Sequence, residues 1–285
     1  MKIAVASGKG GTGKTVVSTS LAWLLAQDGH QVTYVDADVE EPNGHLLLRP
    51  EITEERRFSV LVPALRGNSC SGCGECQKAC EFNAIVALAD RVMVFAELCH
   101  SCGGCLLACP DEELIEGPRE IGTLAAGFAN GESKMAFHSG TLDVGEARAT
   151  PLIDGLLKDV PSDGIVLVDA PPGTSCSAME AIRDADLTLL VTEPTAYGLH
   201  DLRQTVEMCR TLGRSMAAVI NRSDLGPDQV RSYLDGEQIP ILAEIPFMKE
   251  VATAYAHGQV VAAASAPFRD FMASVASYLL QEVTS

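Results

Sequence analysis

The chain has 285 residues, 47% of them hydrophobic, and a formal net charge of −17. That length accommodates one large α/β domain with an insert and a sizeable core. The acidic balance argues against a nucleic-acid partner, which needs a basic face, and against attraction to an anionic membrane surface.

Residues 2–6 read as a β-strand, followed by a glycine-rich loop and a helix over residues 14–27 that Gly29 stops. Residues 31–35 read as a second strand. This strand–loop–helix–strand order is a βαβ unit and implies a parallel sheet. After Asp38 the periodicity weakens, and Pro42-Asn43-Gly44 marks a turn. From residue 62 to 111 cysteines and glycines recur every few positions, a pattern too irregular for another βα unit. Residues 134–138 return to strand, residues 152–158 read as helix, and Gly164 to Asp169 form an apolar strand ending in a carboxylate. Further strands are expected at 187–191, 216–220 and 241–245, with helices between them and a last helix over 268–280. The alternation predicts an α/β fold with a doubly wound, mostly parallel sheet. Residues 1–61 and 116–285 form its two parts, and residues 62–115 are an inserted domain. No segment approaches the roughly 18 apolar residues of a membrane-spanning helix. The N-terminus lacks the apolar core and cleavage site of a signal peptide. A cytoplasmic protein without stable membrane insertion is therefore expected, with its cysteines reduced and available to metals.

Gly8-Lys9-Gly10-Gly11-Thr12-Gly13-Lys14-Thr15 fits the phosphate-loop pattern G-x-x-x-x-G-K-S/T in its required place between a strand and a helix. Its glycines let backbone N–H groups wrap phosphates, and the helix N-terminus adds partial positive charge. Lys14 is expected on the β- and γ-phosphates of ATP, and Thr15 on Mg²⁺. Asp169 ends the strand before Ala170-Pro171-Pro172-Gly173, where a second Mg²⁺-side carboxylate belongs. Asp36 and Asp38 follow the second strand, where the alternative is a pair of loop-capping carboxylates.

Eight of the ten cysteines lie between Cys70 and Cys109. Shifting Cys70, Cys73, Cys76 and Cys80 by 29 residues gives Cys99, Cys102, Cys105 and Cys109, the only internal repeat. Each quartet has the spacing C-x₂-C-x₂-C-x₃-C of iron–sulfur ferredoxins, and Pro110 completes the run in the second. Glu81 stands where the first run would have its proline. The competing metal is zinc, whose modules draw on two separated pairs and fit these compact runs poorly. Cys176 and Cys209 fall outside the repeat and read as a packed or redox-reactive thiol and a core residue. His100, inside the second quartet, reads as a structural or cluster-tuning histidine.

Together these motifs resemble the MinD/Mrp-type P-loop ATPases with a deviant Walker A loop, in particular members carrying a ferredoxin insert with two 4Fe–4S clusters. The resemblance implies that Lys9 reaches across a dimer interface to the partner's nucleotide, against the alternative of a solvated loop lysine. It implies that Asp38 orients the attacking water and that Asp36 lies near the metal shell. Asn221 would read the adenine edge, and the Pro246-Phe247 segment would line the base, although Asn221 also suits a turn. Glu193-Pro194-Thr195 matches the family's nucleotide-side and dimer-facing loop, or an ordinary strand-to-helix connection. By resemblance to two-cluster ferredoxins, Cys70, Cys73, Cys76 and Cys109 hold one cluster, and Cys99, Cys102, Cys105 and Cys80 the other. Such proteins occur as neighbouring pairs, and some are associated with the complex built around the molybdenum–copper orange protein. A homodimer, or a heterodimer with a paralogous ATPase, and a redox partner protein are thus implied. Three functions follow: an ATP-driven redox module, a cluster carrier or assembly ATPase, and a MinD/ParA-like positioning ATPase. The short acidic C-terminus does not suit the membrane-binding helix that the last would use.

Overall fold

The computed structural model describes residues 1–67, 70–129 and 135–284. In chain order the elements are β1 (Lys2–Ala6), α1 (Lys14–Gln27), β2 (Val32–Asp36), α2 (Gly44–Leu48), β3 (Glu51–Leu65), α3 (Glu75–Lys78), β4 (Ile85–Ala87), β5 (Val92–Val94), α4 (Gly104–Leu107), β6 (Leu114–Phe128) and β7 (Met135–Leu142). They continue with α5 (Ala149–Lys158), β8 (Ile165–Asp169), α6 (Cys176–Ile182), β9 (Leu187–Thr192), α7 (Ala196–Thr211), β10 (Ser215–Asn221), α8 (Gln229–Gly236), β11 (Ile241–Ile245), α9 (Lys249–Ala256), α10 (Val261–Ala264) and α11 (Ala266–Thr284).

Nine strands form one sheet in the order β11-β10-β9-β1-β8-β2-β7-β6-β3. From β11 to β7 neighbouring strands are parallel, and β6 and β3 add antiparallel partners at one edge. Period-two alternation sends side chains to opposite faces. Ile3 and Val5 of β1 join a core layer with Val17, Leu21 and Leu25 of α1 and Phe268, Met272 and Val275 of α11. Ala4 and Ala6 join the other layer with Leu152, Ile153 and Leu156 of α5, Ile182 of α6 and Val206 of α7. Burial on both faces is why β8 reads as a continuous apolar run rather than an alternation. Both central strands end in aspartates, so Asp36 and Asp169 lie side by side in register at the carboxyl edge. In such sheets ligands bind at that edge.

The expected parallel strands and α1 coincide with β1, β2, β8–β11 and the helix over 14–27 to within a residue or two. The expected start of a strand at residue 134 lies outside the described residues, and β7 is described from Met135. The long β3–β6 pair went unpredicted. It runs in antiparallel register from Glu51↔Phe128 to Leu65↔Leu114, across the sequence boundaries expected at 61/62 and 115/116. Its first seven residues on β3 are exposed, so the apolar alternation that marks a strand is missing there. β7 leaves the ladder at Gly122↔Leu142, and β3 and β6 continue beyond it as a two-stranded arm. The arm carries the cysteine segment at its end, together with the small β4–β5 hairpin.

Candidate functional site

The loop after β1 gathers the phosphate-binding elements. Gly11 and Gly13 adopt φ of 80° and 93°, which side chains resist. A Cβ on Gly13 would also stand 2.4 Å from Asn221 Nδ2. That amide closes on the loop from β10, donating to the Thr12 carbonyl oxygen at 2.8 Å. At Gly8 a Cβ would meet the Asp201 backbone at 2.5 Å, so α7 packs directly on the loop's start. The loop is thereby clamped from two neighbouring strands' connections, and α1 presents its N-terminus behind it.

Beneath the loop lies a buried charge network. Lys14 Nζ donates to Asp169 Oδ1 at 2.6 Å, and the Tyr34 hydroxyl donates to Asp169 Oδ2 at 2.9 Å. Asp36 Oδ2 accepts the backbone N–H of Gly44 at 2.8 Å and of Asn43 at 3.0 Å. Asp36 therefore ties down the loop after β2. Burial, then the adjacent Asp169, pushes its carboxyl up to about 7. Burial likewise raises Asp38 to about 6, opposed by Lys14. Burial and the two carboxylates also raise the Tyr34 hydroxyl well above its ordinary value. A third carboxylate so close to two others favours a cation at this edge.

A cleft of about 430 Å³ opens above this network. Gly10, Gly11, Gly13, Lys14, Thr15, Asp38, Asn221, Pro246 and Phe247 all line it, from the connections after β1, β2, β10 and β11. Thr12, Asp36 and Asp169 are buried and do not line it, and nor does the half-buried Gly8 at the loop's start. Sequence reading missed Tyr34, which gave no motif signal, and Met248, Val251 and Tyr255, which extend the apolar wall beyond Phe247. A cleft with charged groups at the glycine-rich end and apolar groups at the other suits a nucleotide. Lys9 is not turned to the cleft: its ammonium is paired with Glu193, whose second oxygen is 3.0 Å from Arg222 Nη1. The Glu193-Pro194-Thr195 loop thus holds Lys9 within its own chain. Arg222 is a further member that no motif announced.

The eight clustered cysteines divide between two pockets on the arm. Cys70, Cys73, Cys76 and Cys109 line one, and Cys80, Cys99, Cys102 and Cys105 the other. The fourth cysteine of each sequence run has crossed to the opposite quartet. Thiol electrostatics report the same neighbours. The Cys76 thiol is raised by burial and then by Cys73 and Cys109, and the Cys105 thiol by burial, Cys99, Cys80 and Cys102. All ten cysteines are free of disulfides. Among the described residues no group of three His, Cys, Asp or Glu side chains is placed to hold a metal ion. Four thiols lining each pocket match the number and kind of ligands that a 4Fe–4S cluster takes. His100 stacks on Phe82 with ring centroids 3.7 Å apart. Cys209 is buried, its thiol pushed up to about 11 by burial, as a core residue would be. Cys176 is exposed.

The parallel sheet, the phosphate loop and the cleft at its carboxyl edge define a P-loop nucleotide-binding protein. Residues 3–261 match the CobQ/CobB/MinD/ParA nucleotide binding domain, and the chain belongs to that family. An uncharacterized protein of Methanocaldococcus jannaschii is 30% identical over 211 residues, 73% of this chain and 72% of that one. A cytosolic Fe-S cluster assembly factor NUBP2 homolog of Culex quinquefasciatus is 27% identical over 226 residues, 76% of this chain and 67% of its own. Among solved structures, the septum site-determining protein MinD of Pyrococcus horikoshii, complexed with Mg-ADP, superposes with a TM-score of 0.63. At 18% identity, covering 100% of this chain and 98% of that one, it shows a shared fold.

Proposed function

We propose that the protein is an ATPase that couples nucleotide-driven dimer closure to electron transfer through two 4Fe–4S clusters held on its arm. The observation that carries this reading is the crossed sorting of eight cysteines into two pockets on an arm of the nucleotide-binding sheet itself. When bound, each cluster supplies a one-electron carrier at a potential set by its surroundings.

The chain's own groups have distinct parts. The loop amides and the α1 N-terminus receive the phosphates. Lys14, whose ammonium donates to Asp169, would bind the β- and γ-phosphates, and Thr15 and Asp169, with Asp36 behind, would hold Mg²⁺. Asp38, lining the cleft, positions the attacking water. Asn221, Pro246 and Phe247 close on the base. Lys9 leaves Glu193 to reach the nucleotide of a second chain, whether an identical copy or a paralogue. The redox partner protein then meets the arm, and the orange-protein complex is one such partner. Among the described residues no helix is long and apolar enough to cross a membrane. The word cytosolic in the NUBP2 relative's name supports a cytoplasmic site.

Anaerobic purification tests this directly. About eight irons per chain with a cubane signature, ATP hydrolysis, and a shift of cluster potential when ATP is added are expected. A potential indifferent to nucleotide removes the coupling. The NUBP2 relatives favour a second reading, cluster carriage. Handing cluster to an apo-acceptor would support that reading instead, whereas permanently retained clusters support the first.

A further inference from the structure

The two cysteine pockets differ in their electrostatic surroundings, most plainly at Arg148. Arg148, 12% exposed, donates from Nη1 to the Cys99 carbonyl oxygen. Glu146 Oε1 accepts from both Arg148 Nε and the Arg148 backbone N–H at 3.0 Å, while Glu146 Oε2 lies 2.6 Å from Arg119 Nη2. Two guanidinium groups against one carboxylate leave a net positive charge beside the Cys99 loop. Arg148 Nη2 and Arg119 Nη1 are buried without a hydrogen-bond partner among the described residues.

The second observation concerns the sulfurs themselves. Backbone N–H groups of Ala84 and Ser101 donate to Cys80 Sγ at 3.3 Å and Cys99 Sγ at 3.4 Å, both in that same pocket. On the Cys70 side the Gln77 backbone N–H reaches the Cys76 thiol. The Cys70-side pocket is bordered by the half-buried Glu113, whose Oε2 accepts the Ser71 N–H at 3.0 Å, and neither pocket is lined by an arginine or lysine. Lys78, on the helix between Cys76 and Cys80, is exposed and paired with Glu75. Glu116 borders the Cys99-side pocket but is exposed to solvent, where screening weakens it.

We infer that Arg148, braced by Glu146 and Arg119, is a positioning residue that makes the Cys80–Cys99–Cys102–Cys105 site the more easily reduced of the two. This inference rests on the cluster-binding reading above. Adding an electron makes a cluster more negative, and a buried cation with N–H···S bonds stabilises that state while a neighbouring carboxylate opposes it. Cys99 also packs in the apolar core of the nucleotide-binding body, whereas Cys76 packs with Cys105, Ile85 and Leu114 in a separate small cluster on the arm. One electron delivered to the tip by a low-potential one-electron carrier protein therefore settles nearer the body, the tip site being reoxidised as the inner one is reduced.

A reductive titration of the full-length protein, followed by electron paramagnetic resonance under anaerobic conditions, tests this. Two resolved one-electron steps are expected. R148Q moves the upper step to lower potential and leaves the lower step in place, R148K keeps the upper step near its original position, and E113Q raises only the lower step. Where R148Q loses iron, R119Q supplies the same test, with a smaller downward shift of the upper step. One unresolved step in the parent, or an upper step unmoved in iron-replete R148Q and R119Q, overturns the inference. A parent protein that binds no clusters instead defeats the functional reading, and the iron count tells the two failures apart.

Discussion

Lys14 and Asp169 form an ion pair whose members are 7% and 0% exposed, so neither charge has water to fall back on. Lys14→Ala is expected to lower the stability of the nucleotide-free protein by about 3–5 kcal/mol, because it leaves Asp169 with only the Tyr34 hydroxyl. Urea unfolding checks this, and the double variant K14A/D169N recovers much of the loss if the uncompensated charge is the cause. Lys9 sits differently: it is partly exposed, and its partner Glu193 is shared with Arg222. Glu193→Gln releases Lys9, so ATP-dependent dimerisation should strengthen, while Lys9→Ala should abolish it and leave ATP affinity within a few-fold. Sedimentation with a non-hydrolysable ATP analogue distinguishes these outcomes, and unchanged dimerisation in both would remove Lys9 from the interface. The motif residues were legible singly, since a phosphate loop declares itself in eight consecutive positions. Tyr34 and Arg222 were not, because each acts through a partner far away in sequence.

At the scale of elements, β7 connects the nucleotide edge to the arm. It pairs with β2 on one side and β6 on the other, and Leu142 N–H donates to the Val39 carbonyl oxygen at 2.8 Å, one residue past Asp38. His138, on β7, is half-buried, and burial lowers its pKa against the opposing pull of Asp159 and Glu54. A group depressed in the folded state contributes stability that is present above its unfolded pKa, near 6.5, and lost as pH falls through the folded value. The unfolding free energy should therefore decline as pH drops below about 6.5, and His138→Gln should flatten that limb. Denaturation midpoints at several pH values would show it, and an equal slope in the variant would count against it. The parallel strands were legible as buried apolar runs, but β3 and the outer half of β6 were not. An arm strand with one or both faces in water has no hydrophobic period to read, and its identity comes from its partner across the ladder.

For the whole molecule, the question is whether the two chemistries are separable. Leu65 and Leu114 are register partners at the arm's end, so a short turn can join them without disturbing the ladder. Replacing residues 66–113 with an Asn-Gly turn should yield a protein that keeps nucleotide affinity and binds no iron, read by calorimetry and iron analysis. Loss of folding in that variant would show the cysteine segment to be part of the core. From sequence alone came the parallel α/β class, the phosphate loop, the position of Asp169 and the two cysteine runs, since these depend on local pattern and contiguous spacing. The crossed cysteine quartets came from the ferredoxin resemblance, while tertiary structure decided which carboxylates meet Lys14 and that Lys9 is held at home by Glu193. It also decided that the arm shares a sheet with the nucleotide site. These are contacts between segments tens to hundreds of residues apart, which a chain's local periodicity does not encode and only the closure of the fold brings together.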